Sequence, residues 1–149
     1  MIIYLIKIGL ALLLGIFVGY EREIQKKSAG FRDVTLVTLG ATLFTIISLE
    51  LALIAQKISG GDIRYDIGRI IAYTIASMGF LGSGAIIQNK NKLEGITTAG
   101  VLWSMVACGL AIGLGNYQLA IITALAIYLV LKLKYIKIKF HSMRKRRKK

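Results

Sequence analysis

Long apolar blocks alternate with short polar stretches along almost the whole 149-residue chain. Each block approaches the roughly 20 apolar residues that a helix needs to cross the hydrocarbon core of a bilayer. The blocks are too long and too continuous for ordinary core strands. The pattern therefore predicts an all-α membrane protein, a bundle of about five transmembrane helices, over Ile2–Tyr20, Val34–Ala55, Ile67–Gln88, Ile96–Gly115 and Gln118–Ile136.

The basic residues fall almost entirely on alternate sides of these blocks. Of the 20 Lys and Arg residues, all but four lie in segments 21–33 and 89–95 or in the chain from Lys132 onward. Cytoplasmic segments of membrane proteins carry such an excess of positive charge. We therefore expect the N-terminus outside and the C-terminus in the cytoplasm.

The positive charge is concentrated near the C-terminus. The formal net charge is +13, and ten of the basic residues follow Leu131. We expect a polytopic transmembrane domain over residues 1–136 and a basic cytoplasmic tail over 137–149. A basic segment beside a bilayer is attracted to anionic headgroups. The expected partners are thus the lipid bilayer and its anionic lipids, and nucleic acid is not expected to bind.

Small residues recur at helical spacing in two blocks. Gly15 and Gly19 form one GxxxG motif, and Gly109 and Gly113 form another. Small residues let helix backbones approach closely in lipid. The pattern favours packing between helices of the same chain over a homodimer face.

A denser glycine cluster occupies the third block, at Gly79, Gly82, Ser83 and Gly84. Three glycines within six residues lower the helix propensity. Either the helix stays intact and neighbours press tightly against it, or the backbone opens and its carbonyl groups face a cavity, as in transporters with broken helices. Tight packing is the favoured interpretation.

Four charged residues lie near the expected outer ends of the spans, namely Lys7, Glu50, Asp66 and Arg69. Ionisable residues inside a membrane need a structural or functional reason. The four are predicted to lie at similar depth and could form an outer-mouth polar cluster. One interpretation is a structural clasp, and the other is a vestibule for an ion or anion.

A second cluster is predicted at the inner mouth. Glu21, Arg22 and Glu23 end the first block, and Arg32 and Asp33 begin the second. Asp33 is placed to cap that helix, and Glu21 or Glu23 could pair with Arg32. Alternatively, two carboxylates could hold a divalent cation, since Mg²⁺ uses few protein ligands; whether a metal binds is left open.

Three further polar or aromatic residues lie in the fourth block. Thr97 and Thr98 stand at its start, where capping of the helix is the simplest role. Trp103 lies well inside the block and is expected to pack internally or to form a pocket wall. No nucleophile–base pair or phosphate loop points to an enzyme, and no cofactor is expected.

Three motifs together resemble a known family. They are GYEREIQKKSAGFRDVTLVTLGA, GRIIAYTIASMGFLGSGAI and GITTAGVLWSMVACGLAIGLG, at Gly19–Ala41, Gly68–Ile86 and Gly95–Gly115. In order and spacing they are similar to the MgtC/SapB family of integral membrane proteins. The matching motif positions include Glu21, Arg22, Glu23, Arg32, Arg69, Thr97, Thr98, Trp103 and the stretch from Gly79 to Gly84.

The resemblance implies a multi-pass protein of the prokaryotic plasma (inner) membrane, associated with magnesium homeostasis and stress adaptation. It favours a regulator or adaptor with a membrane-protein partner, or a homo-oligomer, and possible contact with Mg²⁺. The alternative is an oligomeric ion or small-solute channel or transporter. The chain departs from the family pattern at Ile67, Tyr73 and Ser77, and a basic tail stands where well-known members carry a soluble domain.

Overall fold

The structure is a computed structural model that describes residues 1–59, 67–89 and 92–146, with side chains described in 1–58, 68–88 and 92–133. Five helices account for most of this part of the chain. A short antiparallel hairpin separates the third helix from the fourth. In chain order the elements are α1 (Ile2–Ile24), α2 (Phe31–Ser59), α3 (Ile67–Gly84), β1 (Ile87–Asn89), β2 (Lys92–Glu94), α4 (Ile96–Leu114) and α5 (Tyr117–Arg146).

The five predicted helices are confirmed. The largest boundary difference lies in the fifth, predicted to end at Ile136, since α5 continues to Arg146, and the third helix is shorter than predicted. The prediction continued that helix to Gln88, but α3 ends at Gly84 and the chain turns into β1. The amide of Ala85 donates to the carbonyls of both Leu81 and Gly82. This tightened last turn follows the weak helix formers around Gly82. The hairpin then pairs Ile87 with Glu94.

Helix α2 lies at the centre of the bundle and packs against α1, α3 and α4, while α5 packs mainly on α4. The first GxxxG motif explains how closely α1 approaches α2. A Cβ atom added at Gly15 would lie 2.6 Å from Cα of Thr35, and one at Gly19 would lie 2.5 Å from Cα of Phe31. Only glycine leaves room for such contacts.

The second GxxxG motif brings α4 equally close to α2. A Cβ atom at Gly109 would meet the carbonyl oxygen of Thr38, and one at Gly113 would meet the side chain of Thr45. Both motifs therefore pack within the chain, as predicted. The physical cause is the same in each case, since missing side chains bring two backbones into van der Waals contact.

Gly115 ends α4 and turns the chain back into α5. Its φ of +85° lies in the left-handed region that favours glycine. The amides of Gly115 and Asn116 donate to the carbonyls of Ile112 and Ala111. The side chain of Asn116 then accepts the amide of Leu119, which caps α5. The predicted α4–α5 hairpin is thus confirmed.

Large apolar side chains point outward on the helices. Leu13 is 66% exposed, Phe80 is 81% exposed and Leu129 is 65% exposed. Within the described residues, three helices are long and apolar enough to cross a membrane: α1, α2 over Phe31–Ile58, and α4. The apolar part of α5, Tyr117–Leu133, is shorter. An apolar exterior around long apolar helices is that of a membrane protein.

Candidate functional site

Polar side chains gather at the end of the bundle where α1 ends and α4 begins. We call it the Arg22 end. The last turn of α1, the start of α4 and the middle of α5 surround a cavity there, with β2 at its margin. At the opposite end, called the Lys7 end, the first turns of α1 approach the last turn of α4.

Arg22 is the largest polar side chain buried in the described part of the chain, with 2% exposure. Its Nη2 donates to the hydroxyl oxygen of Thr98 at 2.6 Å. The hydroxyl of Ser28 donates to the same oxygen at 3.3 Å. The Nε atom of Arg22 is buried and has no hydrogen-bond partner. The guanidinium group thus joins α1 to α4 through one neutral acceptor and retains unused donors.

The two acidic neighbours of Arg22 face elsewhere. Glu21 is 4% exposed, accepts a hydrogen bond from the side chain of Gln25, and leaves its other carboxylate oxygen unpartnered. It lines a separate cavity of about 150 Å³ beside Tyr128 of α5. Glu23 is exposed, and its carboxylate lies directly against Gly30. Arg22 therefore forms no ion pair with either residue.

Asp33 holds the start of α2. Its carboxylate accepts the backbone amide of Gly30 at 3.0 Å, as a capping acid in the first turn does. Arg32 beside it is exposed and forms no ion pair with Glu21 or Glu23. The structure thus brings the five inner-mouth residues to one end of the bundle but does not join the predicted pairs across the turn.

The start of α4 differs from the predicted capping by threonine. Gly95, with φ of +89°, precedes the helix, and no side chain caps it. A Cβ atom at Gly95 would collide with the carbonyl group of Ala85, so the close passage of α3 requires glycine here. The buried hydroxyl of Thr98 instead receives Arg22, and Thr97 is exposed along the cavity. The capping prediction is wrong because a glycine backbone turn starts the helix.

Trp103 was expected to pack internally or to form a pocket wall, but its side chain is 55% exposed. Trp103 therefore lies on the outward face of α4, and it lines neither the cavity at the Arg22 end nor the groove between α4 and α5.

Two adjacent cavities lie at the Arg22 end. The first, of about 570 Å³, is lined by Arg22, Lys27, Thr98 and residues of β2, α4 and α5. The second, of about 350 Å³, is a mostly apolar groove between α4 and α5. Thr97, Val130 and Leu131 line both cavities, so the polar cavity adjoins the apolar one.

At the Lys7 end, the charged residues do not form one network. Lys7 donates to the carbonyl of Gly113 at 2.6 Å and so joins α1 to α4. Glu50 is exposed and hydrogen-bonded to the side chain of Tyr4. Arg69 lies exposed in the first turn of α3 and takes part in an interaction of its own. Asp66 lies outside the described residues.

With the geometry of both ends established, comparison with known proteins identifies the family. The model of the MgtC family matches residues 8–139. The chain belongs to the MgtC family. The match confirms the resemblance carried by the three sequence motifs, and it spans all of the helices described above except the ends of α1 and α5.

Several curated relatives of this MgtC-family chain share about a third of its residues. Protein SapB of Bacillus subtilis is 33% identical over 83% of this chain and 53% of SapB. The Escherichia coli protein named "Putative magnesium transporter YhiD" is 33% identical over 87% of the chain and 59% of YhiD. Protein MgtC of Salmonella typhimurium is 31% identical over 83% of the chain and 49% of MgtC.

The chain spans between about half and three fifths of the length of these MgtC-family relatives. Their names connect the family with magnesium transport in one case only. No solved structure matches the chain.

The glycine-rich segment of this MgtC-family chain remains helical. Helix α3 is continuous through Gly84, so the backbone does not open in the described structure. Added Cβ atoms at Gly79 and Gly84 would meet no atom within 4 Å, and one at Gly82 would make an ordinary 3.8 Å contact with Ala99. Ser83 donates to the carbonyl of Phe80. The favoured tight packing is therefore wrong, because α3 turns these residues away from its neighbours.

A row of hydroxyl side chains along α2 was not predicted from the sequence. Its members recur every three or four residues and are all buried; they are Thr35, Thr38, Thr42, Thr45 and Ser48. Thr42 donates to the carbonyls of both Thr38 and Gly109, at 2.9 and 3.0 Å. The helical spacing was the available signal. The row faces α1 and α4, where the GxxxG glycines lie.

The described residues contain no group of three or more His, Cys, Asp or Glu side chains arranged to hold a metal ion. The two carboxylates predicted at the inner mouth face different surroundings, since Glu21 is buried and Glu23 is exposed. The features that can bind a ligand at the Arg22 end are instead cationic and hydroxyl groups.

Proposed function

We propose that this protein is a multi-pass regulator or adaptor of the prokaryotic plasma membrane, linked to magnesium or stress homeostasis. In this proposal all five helices cross the bilayer, with the N-terminus outside and the C-terminus in the cytoplasm. Membership of the MgtC family supports the link to magnesium. The alternating positive charge supports the orientation.

The tightly packed interior of the bundle favours a regulatory role over transport through a single chain. Ala11 and Val18 of α1 and Met105 and Cys108 of α4 all have 0% exposure. Between them, the threonine hydroxyl groups of α2 donate to backbone carbonyls, and only the hydroxyl of Ser48 in the described row has no partner. Side chains therefore fill the space that an ion would cross within one chain.

The outward face of α3 is the surface proposed for a membrane-protein partner. Tyr73 is 69% exposed and Phe80 is 81% exposed. Ala76 and Ser77 lie between them on the same helix face and are exposed, and Gly79, which directly precedes Phe80, has no neighbouring atom within 4 Å. A helix of a partner could approach this face closely, because small residues expose the backbone between the two aromatic rings.

An oligomeric ion or small-solute channel is the second candidate. The name of the YhiD relative, which proposes magnesium transport, favours it. Because the interior of one chain is filled, a pathway would run between several copies. In that arrangement the Glu50 carboxylate, exposed near one end of α2, would lie close to the entrance.

Two measurements on the full chain test the proposal. Photo-crosslinking uses benzoylphenylalanine at Phe80 of α3 and, as the matched control, at Leu13 of α1, which is similarly exposed. We expect a discrete adduct with another membrane protein from Phe80 only, in cells grown at low magnesium. Magnesium flux is measured in parallel in sealed proteoliposomes, where we expect none.

The outcomes separate the two candidates. Magnesium flux that Glu50→Gln changes would overturn the regulatory proposal in favour of transport. Adducts of equal yield from Phe80 and Leu13 would indicate random collisions and would count against α3 as the partner surface. A Phe80 adduct containing only a second copy of this chain would identify the surface as a homo-oligomer contact.

A further inference from the structure

Arg22 is a buried cation whose guanidinium group forms no salt bridge with any described residue. Arg22 is 2% exposed, and its guanidinium group makes one hydrogen bond to a neutral hydroxyl while Nε has no partner. Burial of a charge is costly unless it is paired and hydrogen-bonded. In the described structure the carboxylate of the adjacent Glu21 is directed toward Gln25 and a different cavity. Glu21 is near enough to interact electrostatically with Arg22, but its carboxylate makes no hydrogen bond to the guanidinium group and does not line the Arg22 cavity.

The start of α4 adds a second source of positive potential to this cavity. The first amide to bond within α4 is that of Ala99, which donates to the carbonyl of Gly95. The amides of Ile96, Thr97 and Thr98 precede it, and a helix start leaves such groups without intrahelical acceptors. No side chain caps them. Free amides and the helix dipole together favour an anion at this position.

The hydroxyl of Thr98 links the two sources. Its oxygen accepts hydrogen bonds from Arg22 at 2.6 Å and from Ser28 at 3.3 Å. The proton of this hydroxyl remains available as a donor to a ligand. Lys27 also lines the cavity, and none of its described lining residues is acidic. Arginine, hydroxyl and helix-start donors in one place match the oxygen atoms of a phosphate group.

The adjoining groove indicates what carries the phosphate. It runs between α4 and α5 and is lined almost entirely by apolar or small residues, among them Gly100, Val101 and Ile127. Because Thr97, Val130 and Leu131 belong to both linings, a single molecule can occupy both spaces. A ligand with a phosphate head and a hydrocarbon chain fits this pairing of polar cavity and apolar groove.

We propose that the Arg22 cavity binds the phosphate group of a membrane phospholipid, with one acyl chain of that lipid in the groove between α4 and α5. The lipid brings a negative charge into the cavity beside the guanidinium group, and its phosphate oxygens accept the amides at the start of α4. The site lies within the chain and is distinct from an attraction of the basic tail to the bilayer surface. The proposed lipid site does not depend on whether the protein is a regulator or a transporter.

The test measures binding to the purified, delipidated full chain by native mass spectrometry and thermal stabilisation. The probes are dioleoyl phosphatidylglycerol, dioleoylglycerol without a phosphate, and inorganic phosphate. We expect phosphatidylglycerol to bind at least about tenfold more tightly than either of the others, since only it fills both spaces. Arg22→Gln should weaken the binding of phosphatidylglycerol and of inorganic phosphate alike.

A groove variant keeps the test decisive if Arg22→Gln fails to fold. Gly100 lines the groove and has no atom within 4 Å of an added Cβ, so Gly100→Leu places a side chain into the groove with no clash at its Cβ. Gly79→Leu on α3 is the matched control, since Gly79 is equally open but lies outside the groove. We expect only Gly100→Leu to weaken phosphatidylglycerol binding, by about tenfold or more, with phosphate binding unchanged.

Three results would overturn the proposal. Equal binding of phosphatidylglycerol and dioleoylglycerol would show that the phosphate is not recognised. Inorganic phosphate that binds as tightly as the lipid would identify a site for a free anion. Phosphatidylglycerol binding that is the same in Gly100→Leu and Gly79→Leu would show that no acyl chain occupies the groove.

Discussion

Individual glycines of this chain have opposite roles that their sequence contexts do not reveal. Gly109 lies where an added Cβ would meet the carbonyl of Thr38 and, at 2.7 Å, the Cβ of Ala41. Gly79 lies where an added Cβ would meet nothing within 4 Å. The first glycine determines how closely α4 approaches α2, whereas the second makes no close contact within the chain and lowers the helix propensity of α3.

A matched pair of substitutions tests this difference. Gly109→Ala should destabilise the protein by about 1–3 kcal/mol, because backbone atoms of α2 must move to admit the methyl group. Gly79→Ala should be neutral or stabilise by up to about 1 kcal/mol, because alanine favours the helix. Thermal unfolding in detergent, followed by the fluorescence of the single tryptophan Trp103, measures both. Equal losses of stability would show that α3 is covered by a close neighbour in the purified protein.

At the scale of the elements, α2 organises the bundle through its row of hydroxyl groups. Each threonine of the row is small enough for close approach, and its hydroxyl is satisfied by a backbone carbonyl of the preceding turn. Thr42 also reaches across to the carbonyl of Gly109. In an apolar surrounding such an interhelical bond adds to the packing energy. The row therefore fixes α4 on α2 as well as filling the space between them.

Two isosteric substitutions separate the interhelical bond from the local one. Thr42→Val removes bonds to both Thr38 and Gly109, and it should cost about 0.5–1.5 kcal/mol. Thr38→Val is the control, since Thr38 is equally buried and its hydroxyl donates to Val34 of its own helix. We expect a smaller loss in the control, measured by thermal unfolding. A loss in Thr38→Val as large as in Thr42→Val would mean that the contact with α4 contributes no stability.

On the scale of the whole molecule, opposite ends of the bundle are tied by different contacts. Arg22 and Ser28 meet Thr98 at one end, whereas Lys7 meets the carbonyl of Gly113 at the other. Both contacts join the α1 region to α4, on either side of the packed interior. The charge distribution assigns the Arg22 end to the cytoplasm in the orientation that we propose.

Cysteine labelling in intact cells tests this orientation. The background is Cys108→Ser, which removes the single native cysteine. Ser28→Cys at the Arg22 end and Gln118→Cys at the Lys7 end are matched, since both side chains are exposed. A membrane-impermeant maleimide should label position 118 in intact cells and position 28 only after permeabilisation. The reverse pattern would show that the topology is opposite to the proposed one. Labelling of both positions in intact cells would contradict the proposal that the two ends of the bundle lie on opposite sides of the membrane.

The sequence alone determined the number of helices, the starts of most of them and the family. The number of helices follows from the lengths of the apolar blocks relative to the thickness of the bilayer. Those lengths depend only on consecutive residues and not on contacts between distant parts of the chain. The GxxxG motifs were also assigned correctly to internal packing. The early end of α3 was missed because the competing hairpin depends on pairing between residues on both sides of a turn.

Only the tertiary structure decided which polar and small residues meet. Arg22 and Thr98 are 76 residues apart, and their contact depends on how α1 and α4 are rotated about their axes. The same rotations turn Gly109 toward α2 and leave Gly79 exposed. Periodicity places residues on a common helix face but does not say which neighbour that face contacts. The polar cavity beside its apolar groove therefore emerged only once three helices were packed together.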